Sequence, residues 1–280
     1  MTVQTDPTYA LGRSKIEYER LTAQAALIRP MTERLFREAG IGPGQRVLDV
    51  GSGVGDVAFL AAELVGPDGE VVGVDLDGAA LATARGRADL LGFRNVSFIE
   101  GDARTAELGQ GFDAAVGRLV LLYVADPSEL LRAVADRLRP DGVLAFQELD
   151  MDPEVPSFST APAQLWDETG HRIIQTFVQA GTRVRVGREL FTAFTNAGLP
   201  APQVREETLI GGGPEFTGYG WLAGVARSLA PLMERFGIAT AAELDIDNLA
   251  DRIRTDAVKH QSLVWAPPLI GAFARRSSRR

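Results

Sequence analysis

The 280-residue chain contains no cysteine. It forms no disulfide, and every mechanism that needs a cysteine nucleophile or a thiolate ligand is excluded. Histidine is nearly absent, with only His171 and His260, and no metal site is read from the sequence. No apolar run approaches the roughly 20 residues of a membrane-spanning helix. The opening Met-Thr-Val-Gln-Thr-Asp-Pro lacks the basic and apolar regions of a signal peptide, so a cytoplasmic location and no membrane partner are expected. Basic residues are outnumbered, 29 Lys plus Arg against 37 Asp plus Glu, for a net charge of −8. An acidic chain is a poor partner for a polyanion, so no nucleic-acid partner is expected.

What remains is an ordinary globular composition, 45% hydrophobic and 24% charged, long enough to bury a full core as one domain with an insertion or cap. Its most informative stretch is Val47-Leu-Asp-Val-Gly-Ser-Gly-Val-Gly-Asp56, an apolar strand running into Gly51, Gly53 and Gly55. Glycines there leave bare backbone where a ligand comes close and permit positive φ. A dinucleotide loop wants G-x-G-x-x-G facing a pyrophosphate. Here the third glycine comes one position early and Asp56 follows, a carboxylate that a pyrophosphate would repel and a cationic ligand would tolerate. The plainer alternative is a glycine-rich turn between a strand and a helix.

The run Asp49-Val-Gly-Ser-Gly-Val-Gly55 resembles the first motif of the class I S-adenosylmethionine-dependent methyltransferases. Downstream residues extend the resemblance. Glu70 to Asp77 is a second strand whose Asp75 lies 20 residues after Gly55, where a ribose-binding acid belongs; its other reading, a helix cap, falls to Asp77. A third strand, Val96 to Glu100, ends in Gly101-Asp102-Ala103, and the resemblance implies an adenine contact for Asp102 with the Ala103 backbone beside it. A fourth, from Phe112, runs into Gly117-Arg118-Leu119, which the resemblance lays along the methionine part of the cofactor. Gly142 to Leu149 is a fifth strand. The implied cofactor set is therefore Asp49, Gly51, Ser52, Gly53, Asp75, Leu76, Asp102, Ala103, Arg118 and Leu119, with Tyr9 and Gln24 added from a leader that closes over the cofactor in many small-molecule members.

The expected organisation is an N-terminal helical cap over residues 1–40, a cofactor-binding core over 41–150, helices and final strands over 151–275, and a tail at 276–280. The leader reads as a capping box at Ser14 to Glu17, a helix ending at Pro30, and a second helix from Met31 to Ala39. Alternating strands and helices between 47 and 150 imply right-handed βαβ units and a parallel sheet. After 150, helices are expected over 163–180, 187–197, 215–236 and 241–261, and strands over 201–210 and 262–275. The fold class is α/β: a Rossmann-like seven-stranded sheet, parallel with an antiparallel edge strand, flanked by helices and carrying a helical lid.

Methyl transfer from a sulfonium is an in-line displacement, in which alignment alone supplies about 7–11 kcal/mol. A general base is a smaller addition, roughly 10²- to 10⁴-fold. Glu148, at the end of the fifth strand, and His171, on the first lid helix, are the catalytic candidates, although His171 also reads as a partly exposed helix residue and Glu148 as a cap. Trp166, Phe177, Tyr219 and Trp221 are candidates to line an apolar acceptor pocket. The leading reading is a methyltransferase of bacterial specialised metabolism acting on O, N or C of a small aromatic or hydrophobic compound, as monomer or homodimer. Without cysteine, cysteine-dependent C5 methylation of pyrimidines and methylation of thiol-bound arsenic are excluded for this chain. A cofactor-binding protein with a non-methylating role, such as a cyclase, shares the loop. A nucleic-acid methyltransferase is weaker, because Gly117-Arg-Leu-Val-Leu121 replaces the Asn/Asp-Pro-Pro-aromatic motif. A nicotinamide oxidoreductase is disfavoured by Asp56.

Overall fold

A computed structural model describes residue 11 and residues 15–160 and 163–277; Tyr9 and Ser14 lie outside the described residues. In chain order the elements are α1 (Lys15–Ala39), β1 (Arg46–Val50), α2 (Asp56–Val65), β2 (Glu70–Asp75), α3 (Gly78–Leu91), β3 (Val96–Glu100), β4 (Phe112–Arg118), a short 3-10 turn (Leu121–Tyr123), α4 (Pro127–Ala135), β5 (Leu138–Leu149), α5 (Gln164–Gln179), α6 (Val186–Asn196), β6 (Gln203–Glu207), β7 (Ile210–Gly211), α7 (Gly218–Arg235), α8 (Ala241–Leu244), α9 (Leu249–Lys259), β8 (Val264–Trp265) and β9 (Leu269–Arg275).

The chain divides into two compact units built from discontinuous segments. One comprises residues 28–148, 186–206 and 270–280 and holds the sheet, ordered β3-β2-β1-β4-β5-β9-β6. It is the expected seven-stranded, mostly parallel sheet with an antiparallel strand, flanked by helices. The pairs β1–β2, β1–β4, β2–β3 and β4–β5 are all parallel. The central strands are apolar on both faces, as a sheet covered by helices on both sides requires. Leu48 is fully buried in β1, as are Ala114 and Val116 in β4 and Leu144 and Phe146 in β5. Asp77 caps α3 by accepting from the amides of Ala79 and Ala80, and Asp126 caps α4 through Ser128 and Glu129 ahead of Pro127.

The other unit comprises residues 1–27, 149–185 and 207–269. Its described part contains α5, α7, α8, α9 and the two-stranded β7–β8 ribbon, which is antiparallel.

Three local expectations are corrected. Helix α1 continues through Pro30 to Ala39; Pro30 and Ala26, whose carbonyl the ring denies a partner, are both exposed, so water can serve that carbonyl. The single helix expected over 241–261 is two, because Asp245 takes a left-handed conformation, φ 48°, at the end of α8; Asp is one of the few residues that tolerate it. The strand expected over 201–210 is likewise two short pieces, β6 and β7.

Candidate functional site

In an open parallel sheet, ligands sit beyond the carboxyl ends of the strands. At the end of β1 the backbone turns through Gly51 (φ 68°), Gly53 (φ 51°) and Gly55 (φ 93°). The three glycines have different reasons to be glycine. A Cβ on Gly51 would lie 2.5 Å from Val120 Cγ2, and one on Gly55 would lie 2.7 Å from the Phe59 ring, so both serve packing within the protein. A Cβ on Gly53 would point into open space. Of the two glycines expected at the cofactor, Gly51 and Gly53, only Gly53 has open space in its Cβ direction.

The Asp75 carboxylate, at the end of β2, accepts from the Gly53 amide and from the Asp77 amide, each at 2.8 Å. It therefore fixes the glycine loop against the neighbouring strand. Leu76, the next residue, is 59% exposed. Beneath the loop, Asp49 is fully buried with no hydrogen-bond partner for either carboxylate oxygen, and the buried Ser52 hydroxyl also lacks one. Burial pushes the Asp49 carboxyl well above the usual range; Arg118 opposes that shift and Asp75 reinforces it. Buried polar groups without partners are rare and point to a ligand or water site.

Asp102, after β3, does not present a free carboxylate. Arg104 grips both its oxygens, at 2.6 to 3.0 Å, and holds its pKa below the usual carboxylate range. Ala103 beside it is buried. Asp56 is likewise paired, with Arg87 at 2.7 Å, so its charge is largely neutralised and the discrimination against a pyrophosphate drawn from it loses its basis.

Beyond β4, Arg118 donates to the Thr32 hydroxyl at 3.0 Å, and Thr32 donates to Gln147 Oε1 at 2.8 Å. Leu119 follows with φ 57°, a strained value for a non-glycine residue. Glu148 secures that turn. Its side chain is fully buried, and Oε1 accepts from the amides of Val120 (2.9 Å) and Leu121 (2.8 Å), while Oε2 has no partner. Burial pushes its pKa from 4.5 up to about 8 against the opposing effect of those amides. A carboxyl with no exposed surface, whose Oε1 holds two backbone amides, anchors this turn, a role that stands beside the catalytic one expected of it.

The remaining candidates belong to the other unit. His171 Nε2 is 2.8 Å from the Val155 carbonyl and its ring stands 5.4 Å from that of Phe158, so one ring nitrogen is committed to the backbone. Trp166, Phe177 and Tyr219 are buried, and the Tyr219 hydroxyl has no hydrogen-bond partner. Trp166 meets Tyr219 edge to face at 6.1 Å, and its indole N–H donates to the Trp265 carbonyl. Trp221 is half-buried, and its indole N–H donates to Gln24 Oε1, which also accepts from Arg20. Gln24 is thereby committed to joining α1 and α7. Among the described residues no cluster of His, Asp and Glu could hold a metal ion, and no helix is long and apolar enough to cross a membrane.

Sequence reasoning missed Thr32, Gln147, Arg87 and Arg104. Gln147 left a trace, a polar residue in an otherwise apolar strand. So did Arg104, whose amide donates to Asp102 Oδ1 two residues back in a local turn.

Comparison with known proteins gives the arrangement a context. The profile of a family described as a methyltransferase domain matches residues 41–183. Aklanonic acid methyltransferase DauC of Streptomyces sp. (strain C5) is 35% identical over 140 residues, covering 50% of this chain and 63% of that protein. An arsenite methyltransferase of Aquipseudomonas alcaligenes is 38% identical over 117 residues, covering 39% and 34%. The likeness therefore spans about a third to just under two thirds of these relatives' length. Among solved structures, the YcgJ protein of Bacillus subtilis superposes with a TM-score of 0.58 at 20% identity, over 89% of this chain and 98% of that one, a likeness of fold.

Proposed function

Because the chain belongs to the methyltransferase-domain family, matched by its profile over just over half of the sequence, we propose that it binds S-adenosylmethionine at the ends of β1 to β4 and transfers its methyl group to a small organic acceptor. The observation that carries this reading is Gly53: an open backbone position at φ 51° whose amide is held by the carboxylate at the end of the next strand. The residues fit the cofactor. Asp75 offers carboxylate oxygens to a ribose diol, exposed Leu76 offers an apolar surface to a base, and Asp49 and Ser52 hold polar atoms that lack partners within the protein. Arg118 and Leu119 lie along the methionine part, as the family resemblance implies. Asp102 reaches an adenine amino group only by sharing its oxygens with Arg104. The Ala103 backbone stays beside that position, whereas Tyr9 falls outside the described residues.

The bound cofactor supplies an activated sulfonium methyl. The protein's part is to fix its position and exclude water, and the reading leans on neither Glu148, which holds the Val120 and Leu121 amides, nor His171, whose Nε2 meets the Val155 carbonyl. Alignment is then the main contribution, and an acceptor that is already nucleophilic suits such a site. The relatives carry names that span aklanonic acid and arsenite acceptors. Thiolate-dependent arsenic chemistry finds no cysteine in this chain, which favours a carbon-based acceptor, aromatic or hydrophobic, methylated on O, N or C.

Calorimetry with S-adenosylmethionine and S-adenosylhomocysteine, followed by incubation with methyl-labelled cofactor and a panel of aromatic metabolites, tests the reading; no binding of either nucleoside would sink it. Asp75→Ala is expected to weaken both about tenfold to a hundredfold, since each hydrogen bond to a charged group is worth roughly 1.5–3 kcal/mol and the Gly53 amide loses its acceptor as well. Unchanged affinity in the folded variant would remove Asp75 from the site.

A further inference from the structure

Two buried hydrogen-bond donors of the helical unit lack an acceptor. Tyr219, in the first turn of α7, is fully buried and its hydroxyl has no partner; Arg254, on α9, gives Nη1 to Asp251 while its buried Nε has none. A core tyrosine in that state is less favourable than the phenylalanine that would fill the same space, so the hydroxyl needs another reason. Burial raises its pKa and Arg254 opposes the shift, which sets the guanidinium within electrostatic reach of the phenol.

The helices bring both donors to one end of the unit. Arg227 of α7 reaches Asp247, ahead of α9, whereas Tyr219 and Asp256 both meet the start of α5: Trp166 stands edge to face on Tyr219 at 6.1 Å, and the Leu165 amide donates to Asp256 at 3.1 Å. Helices α7 and α9 are therefore antiparallel, with Tyr219 level with the Arg254–Asp256 turn. The first turn of α5 is served by a carboxylate. That of α7 is not, because Thr217 at its cap position makes no capping bond, and such a helix start presents amide donors and the positive end of the dipole. The Tyr219 ring is also held in place. Phe216 meets it edge to face at 5.3 Å, in a space that glycine keeps open, since a Cβ on Gly211 or Gly218 would lie 2.3 Å from the Phe216 ring. The α9 carboxylates are engaged, Asp251 with Arg254 and Asp256 with Leu165 and His260.

We propose that the first turn of α7, the Tyr219 hydroxyl and Arg254 Nε form a binding site for a small oxyanion, a carboxylate or a phosphate. Amides, phenol and guanidinium are all donors, and an anionic oxygen is the acceptor that serves them together. The group has two sources, an acid function on an organic ligand or a free inorganic ion. The inference goes beyond the methyltransferase reading and stands without it, because every residue it uses lies in the helical unit.

The test titrates the full chain with inorganic phosphate, benzoate and benzamide, the last being the neutral counterpart of benzoate. Calorimetry and tryptophan fluorescence, to which Trp166 beside Tyr219 contributes, read the binding. Wild type is expected to bind at least one of the two anions saturably. Tyr219→Phe and Arg254→Gln should each weaken it roughly tenfold to a hundredfold, the range for charge-assisted bonds, while Arg227→Gln, which alters another arginine of the same helices, should not. Without anion, Tyr219→Phe should melt at the wild-type temperature or above it, because the hydroxyl it removes has no partner. Binding of phosphate alone assigns an inorganic ion, and binding of benzoate in preference to benzamide assigns an organic acid. Three results overturn the inference: no saturable binding of either anion, binding that survives both Tyr219→Phe and Arg254→Gln and so reports an adventitious ion only, or a lower melting temperature for anion-free Tyr219→Phe, which would mean that the hydroxyl is already satisfied.

Discussion

Gly53→Val is expected to abolish cofactor binding while the protein stays folded. A side chain at residue 53 meets no protein atom within 4 Å, so the fold does not forbid it on grounds of space. Its cost to the fold is conformational. At φ 51° a β-branched residue is strained by roughly 1–3 kcal/mol, a modest loss for a core of this size. Its cost to binding is steric and much larger, because two methyl groups would occupy the volume through which a ligand reaches the loop backbone. Gly51→Val provides the contrast. There the new Cβ would lie 2.5 Å from Val120 Cγ2, so the fold itself should fail. Thermal melts and calorimetry with S-adenosylhomocysteine on both variants check the pair. If Gly53→Val binds normally, the loop does not touch the cofactor; if it unfolds like Gly51→Val, the open direction has been misjudged.

The difference between these two glycines shows where sequence reading stops. The strand, the three alternate glycines and the acid 20 residues on are local patterns, and they convey the sheet, the family and the place of the loop. Which glycine faces a ligand depends on Val120, Phe59 and Phe98, brought there by other parts of the chain. The same holds for charge. Asp56 looks like a free carboxylate in sequence, and only folding brings Arg87, 31 residues later, to neutralise it. The aromatic residues after 150 were legible as hydrophobic but not as closed: Trp166 and Tyr219 pack against each other, and their spacing gives no sign of that. Pro30 misled in the opposite sense, since a helix break is the usual consequence of proline but not where the orphaned carbonyl is exposed.

Glu148 is expected to impose a loss of stability between about pH 4.5 and 8 that Glu148→Gln removes. Its carboxyl titrates near 4.5 in the unfolded chain and at about 8 in the fold, chiefly because burial disfavours the charge. Between those values the folded state holds a proton that the unfolded state has released. Stability from this group is therefore fully present below about pH 4.5 and is lost as pH rises toward 8, with a slope near 1.4 kcal/mol per pH unit and a total on the order of 5 kcal/mol. Glutamine keeps the shape and the acceptor oxygen facing the Val120 and Leu121 amides, yet cannot ionise. Urea denaturation of both proteins from pH 4 to 9 should give curves that converge at the acid end and separate toward pH 8, with the variant the more stable. Glu148→Ala should instead lose roughly 1–3 kcal/mol for each abandoned amide across the range. It should also weaken cofactor binding, because the released turn carries Val120, the residue packed on Gly51. Parallel curves for wild type and Glu148→Gln would mean that the carboxyl is ionised in the fold and would overturn this expectation.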